Sequence, residues 1–106
     1  MSEPALDLSE IVGLYKEDAR RSVDQMRAAI KRWNEVVAAG PACQELRKLS
    51  HQLRGSGRTY GFHNVTRIAK AMEHLMIKIQ AKKLPTNERL NKVLTGYIER
   101  LARIFE

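Results

Sequence analysis

Four successive stretches of this chain repeat apolar residues at intervals of three and four, and glycine or proline punctuates the gaps between them. That spacing belongs to one face of an α-helix and to no strand pattern. From Asp7 to Ala39 the repeat passes through Ile11, Tyr15, Val23, Met26, Ile30, Trp33 and Val37, and Asp7 with Glu10 resembles a capping box. One helix over that tract would be about 50 Å long at 1.5 Å per residue, much longer than those that follow. Either its first turns overhang the rest of the fold or a break falls early, and no proline marks one. Gly40-Pro41 reads as a stop followed by a start, with proline in a first turn. A second helix then runs to about Tyr60. Gly61 ends it, Asn64 is placed to cap a third, and Val65, Ile68, Ala69, Met72, Met76 and Ile79 form the third stripe. Pro85-Thr86-Asn87 is the last punctuation, before Leu90, Leu94, Tyr97, Leu101 and Ile104. Each amphipathic helix must bury its stripe against the others, and short connections favour antiparallel neighbours. The expected fold is all-α, an antiparallel up-down four-helix bundle with room for an extra or overhanging amino-terminal segment.

A chain of 106 residues suits a single domain over residues 1–106. Its 43% hydrophobic content excludes a disordered polymer. No apolar run approaches the roughly 20 residues of a membrane span, and no signal-peptide core opens the chain, so a cytoplasmic location without membrane partners is expected. The single cysteine, Cys43, rules out an internal disulfide framework and suits a reducing compartment. A formal net charge of +7 points to an anionic partner: nucleic acid, a lipid surface or an acidic protein.

The second helix carries the chemistry. Its stretch His51-Gln52-Leu53-Arg54-Gly55-Ser56-Gly57 sets a histidine among arginines and follows it with two glycines. On a wheel of about 100° per residue, Gln44, Arg47, Lys48, Arg54, Gly55 and Arg58 fall within about 60° of His51, while Leu46, Leu49, Leu53 and Tyr60 lie opposite. His51 should therefore face solvent among cations. An exposed imidazole has a reference pKa near about 6.5, so at pH 7 it is largely neutral and nucleophilic. Gly55, one turn on, costs about 1 kcal/mol relative to alanine inside a helix, which calls for a packing or access reason. Access for a partner's surface is the reading adopted. Arg54, with Arg47, Lys48 and Arg58 further out, could neutralise an anion carried on the ring, and phosphate is the obvious candidate.

Other features have plainer readings. His63 and His74 lie about 16 Å apart along one helix and read as surface or boundary residues. Cys43 with His51 lacks a structural zinc spacing, Met72 and Met76 read as core filler, and Cys43 as a half-buried spectator. Arg47, Lys48 and Arg58 fit a solvated face as well as a contact surface. No glycine loop of Walker type and no carboxylate pair for magnesium is visible, so neither cofactor nor metal is expected.

His51 to Gly57, then Thr59-Tyr60-Gly61-Phe62, and finally Ala69, Met72 and Glu73, resemble the histidine-containing phosphotransfer domain of two-component signalling. Leu6-Asp7-Leu8-Ser9-Glu10 and Tyr15-Lys16-Glu17-Asp18-Ala19 further resemble the amino-terminal phosphotransfer domain of chemotaxis-type histidine kinases. The resemblance implies that His51 accepts and donates a phosphoryl group, that Gly55 leaves room for a receiver domain, and that Glu73 hydrogen-bonds the imidazole and selects its tautomer. One position departs: the family usually has lysine three residues after the histidine, where this chain has Arg54. A guanidinium pairs with phosphate through two bonds where an ammonium acts as a point charge. The implied protein is a phosphoryl carrier, not an enzyme, and commonly a monomer. Its partners would be a histidine kinase's ATP-binding domain and a response-regulator receiver domain, met through Arg47, Lys48, Gln52 and Arg58. The rival reading, a basic helical nucleic-acid-binding protein, has the charge in its favour, but the cations are scattered and no helix-turn-helix pattern stands out. A third reading is a bundle that keeps the motif and has lost phosphotransfer.

Overall fold

The computed structural model describes residues 7–33, 39–82 and 87–106. Four helices follow in order: α1 (Leu8–Trp33), α2 (Ala39–Thr59), α3 (His63–Gln80) and α4 (Glu88–Ile104). Asp7 starts α1, its Oδ1 accepting from the Glu10 backbone N–H at 2.8 Å. This satisfies one of the amide donors that a helix start leaves without an internal partner. α1 then runs unbroken to Trp33, so the early break does not occur. Its first two turns have no buried residue, and Leu8 and Leu14 are 75% and 57% exposed. Tyr15 is the first buried side chain. Its ring stacks on Tyr60 at 4.4 Å and meets Phe62 and Phe105 at 5.3 and 5.8 Å, level with the ends of α2 and α4. Residues 8–14 therefore overhang the bundle, by about 10 Å at 1.5 Å per residue.

Three local expectations are corrected. The first helix does not reach Ala39, which already belongs to α2; Gly40 and Pro41 thus lie inside the first turn of α2 and not between helices. Proline is harmless there because a first-turn N–H has no intrahelical acceptor to lose. Val37, Pro85 and Thr86 lie outside the described residues. Asn64 does not cap α3, which begins one residue earlier behind Phe62; its Oδ1 instead accepts from Arg67 at 3.3 Å. The boundary is set by aromatic packing. Gly61, at φ +81°, turns the chain so that the Phe62 ring reaches Tyr15 and Phe105, and a side chain at that φ would be strained. Tyr60, placed by the wheel with the leucines, is 39% exposed and lies flat on Tyr15. At the other punctuation, Asn87 caps α4 through Leu90 N–H at 2.9 Å.

The pairings make the bundle antiparallel. Tyr15 meets Ser56 and Arg32 meets Glu45 between α1 and α2; Arg27 meets Glu99 and Arg20 meets Phe105 between α1 and α4. Between α2 and α3, Arg47 meets Gln80 and Arg54 meets the Thr66 hydroxyl. Met26, Leu46, Met72, Met76, Leu94, Ile98, Leu101 and Phe105 fill the centre at under 2% exposure. The Arg27 guanidinium grips Glu99 with two bonds of 2.9 and 2.8 Å and holds that carboxyl below the usual carboxylate range.

α2 and α3 approach most tightly at Gly57. A Cβ there would sit 2.8 Å from Thr66 Oγ1 and 3.1 Å from both the Phe62 carbonyl oxygen and the Thr66 nitrogen. Two of those three are backbone atoms and cannot rotate aside. Gly57→Ala is therefore expected to lose stability by about 1 kcal/mol net, the overpacking cost exceeding the gain in helix propensity. Urea unfolding measures it, and an unchanged or raised midpoint would refute the tight crossing.

Candidate functional site

Ser50 and Leu53 are buried at 0% and 2%, and between them they turn His51 outward from the middle of α2. Its side chain is 74% exposed. Glu73 comes across the seam from α3, with a side chain only 7% exposed, and is the one buried charged residue among the described residues. Its two oxygens are divided: Oε2 lies 2.6 Å from His51 Nδ1, and Oε1 accepts from Arg54 Nη1 at 2.7 Å. Burial alone would raise the Glu73 carboxyl, but the hydrogen bonds from Arg54 and His51 outweigh it and hold the group below its ordinary range. Glu73 is therefore ionised near neutral pH and can only accept.

That state settles the imidazole. Beside a carboxylate acceptor, Nδ1 is the ring nitrogen placed to donate, and Nε2 is the one not engaged by Glu73. The arrangement presents an oriented imidazole to solvent with the Glu73 charge behind it. Arg54, 40% exposed, donates to Glu73 through Nη1, one of the several donors a guanidinium carries.

Of the residues singled out by sequence, His51, Arg54 and Glu73 form one network. Lys48, Gln52 and Arg58 are exposed on the same helix without joining it. Arg47 turns away to Gln80 Oε1 at 2.6 Å. A Cβ at Gly55 would meet nothing within 4 Å, so its missing side chain serves no packing inside the bundle. The two glycines of the motif thus differ: Gly57 is needed by the fold, and Gly55 leaves open space outside it. Gly57 and its neighbour Thr66 went unassigned in the sequence, although the second glycine was the available signal. Cys43 is buried at 5% rather than half-buried, with its Sγ 3.8 Å from Met76 Sδ. Burial pushes its thiol pKa up, with Arg47 opposing weakly. No group of three potential metal ligands occurs among the described residues, where His63 and His74 are both exposed.

The family model of the Hpt domain matches residues 10–104, a span that contains the whole His51, Arg54 and Glu73 network. The chain belongs to the Hpt domain family. Hpt domains are phosphocarriers rather than catalysts, and this one accordingly has a phosphotransfer role in two-component signalling. Nothing among curated proteins and nothing among solved structures matches the chain. The family match begins at Glu10, so Leu6 to Ser9, part of the chemotaxis-type likeness, fall outside it. No helix among the described residues is long and apolar enough to cross a membrane.

Proposed function

We propose that His51 is the phosphoacceptor of this Hpt domain and that it relays the group to a receiver aspartate. The observation that carries this reading is the divided carboxylate of Glu73, which orients the ring through Nδ1 and leaves Nε2 open. The Nε2 lone pair attacks the donor phosphorus, and the bond from phosphorus to the donor oxygen breaks. That oxygen leaves on ADP, if the donor is a kinase-bound ATP, or on an aspartate, if it is a phospho-receiver. The imidazole becomes a cation that keeps its Nδ1 hydrogen on Glu73, and Arg54 faces the new phosphoryl oxygens. In the return step a receiver aspartate attacks phosphorus and the N–P bond breaks, restoring the neutral ring. Magnesium and the acidic pocket belong to the partner, and a separate kinase domain supplies ATP.

Lys48, Gln52 and Arg58, exposed on α2, suit contact with an acidic receiver cleft, as does Arg47 at the margin where it bonds Gln80, with a rate of encounter that falls as salt rises. A chemotaxis-type kinase context, a monomeric state and a cytoplasmic location complete the reading. Intact-mass spectrometry after exposure to a small phosphoramidate tests it: one acid-labile phosphoryl adduct should form and then disappear when a receiver domain is added. An adduct that no receiver removes would argue against a relay.

Gly55 offers a finer check. Because space beside it is open, Gly55→Gln should fold and raise helix stability by up to about 1 kcal/mol. It should slow transfer to a receiver far more than uptake from the small donor, by about tenfold or more, the equivalent of 1.4 kcal/mol of obstructed contact. Equal slowing of both reactions would assign Gly55 to the chemistry instead of to access.

A further inference from the structure

The α3 and α4 pair makes the sparsest contact of the four adjacent helix pairs, and a groove lies along its seam. Ile68, Tyr97 and Ile104 form its floor, each half-buried against the core. Arg67 stands on the α3 rim; Arg100 and Arg103 stand on the α4 rim. No carboxylate lines the groove, and none of the three arginines is in an ion pair among the described residues. The nearest acid on α4, Glu99, lies one turn before Arg103 and feels its charge, but its two oxygens are bonded to Arg27. Arg67 and Ile68 lie about 120° and 140° around α3 from Glu73, so this seam faces away from His51.

We propose that this seam is a second docking site, for an amphipathic helical segment of a protein partner that carries carboxylates on both flanks of an apolar stripe. An apolar floor between basic rims complements such a helix on both counts. A phosphate backbone would use the rims and leave Ile68, Tyr97 and Ile104 without a role. The arginine forks on the rims can hold carboxylates through paired charge-assisted bonds. Because the seam and the His51 face are separate, the bundle can be held on one side while its ring is visited on the other. Tethering of this kind raises the local concentration of whatever the partner carries.

The test uses a labelled peptide of about 20 residues with leucines at i, i+3/i+4 and i+7 and glutamates on both flanks, the pattern of helix-in-groove recognition. Fluorescence anisotropy should show saturable binding that weakens with salt. The combined variant Arg67→Glu, Arg100→Glu, Arg103→Glu should weaken it by at least about tenfold, and His51→Gln should leave it unchanged. A second peptide with lysine at every glutamate position needs no variant and should not bind wild type. Absence of saturable binding, equal affinity of the triple variant, or equal binding of the lysine peptide would each overturn the proposal. So would duplex DNA that binds more tightly than the peptide and is lost in the same variant, since that assigns the seam to nucleic acid. The His51→Gln arm keeps the two proposals apart: loss of phosphotransfer leaves the seam's affinity untouched.

Discussion

His51→Gln is expected to reduce phosphoryl uptake to background while leaving the bundle folded. Wild type exposed to a small phosphoramidate should gain a single acid-labile phosphoryl group by intact mass, and the variant none, because glutamine has no ring nitrogen to attack phosphorus. The side chain is 74% exposed, so its replacement should move stability by no more than about 0.5 kcal/mol. A lost adduct together with a lost fold would say nothing about chemistry, which is why the melting curve accompanies the mass. His63 and His74 are exposed as well, yet among the described residues neither has a carboxylate partner. Exposure alone does not select a nucleophile; the hydrogen bond to Glu73 orients one ring of the three. An adduct that survives His51→Gln would move the acceptor to one of these.

The second large effect is expected at Glu73. In Glu73→Gln the amide can present its NH2 group to His51 Nδ1, which then accepts, and the ring hydrogen moves to Nε2 where the lone pair was needed. Loss of a charge-assisted bond is worth about 1.5–3 kcal/mol, so the uptake rate should fall by about tenfold to a hundredfold. The fall is not total, because an exposed ring can turn from the amide and recover the reactive tautomer. The same variant should change the acid limb of stability. Arg54 and His51 hold the Glu73 carboxyl below its ordinary range. Its contribution is whole above the usual carboxylate titration and is lost as pH falls through the lower folded value. Wild type should therefore lose stability across that acid window more steeply than Glu73→Gln does. Parallel acid limbs, or an undiminished uptake rate, would remove Glu73 from the mechanism and leave it a structural acid.

The periodicity of the apolar residues was enough to read four helices and the outward direction of His51, because burial acts on each residue locally and repeats with the helix. Asp7 and the turn at Gly61 were legible for the same reason: a cap and a left-handed φ leave a signature within a few residues. The start of α3 was misread because it answers to a distant contact. Asn64 has the local chemistry of a cap, and the Phe62 ring, drawn onto Tyr15 and Phe105, overrides it. Likewise the motif offered two glycines, of which the wheel placed Gly55 on the His51 face and gave Gly57 no role. Only the crossing of α3 at Thr66 shows that Gly57 has no room for a side chain and Gly55 has ample.

The division is sharpest at the site itself. By itself the sequence determined the bundle, the exposed histidine and its basic surroundings, since each depends on which face of one helix a residue occupies. The pairing of Glu73 with both His51 and Arg54 was decided by the tertiary structure. It joins residues 22 and 19 positions apart through an antiparallel contact between α2 and α3. The α3–α4 seam, with its arginines beside an apolar floor, is of the same kind. A helix wheel shows which side a residue faces, but how closely two helices pack is set by the side chains of both together.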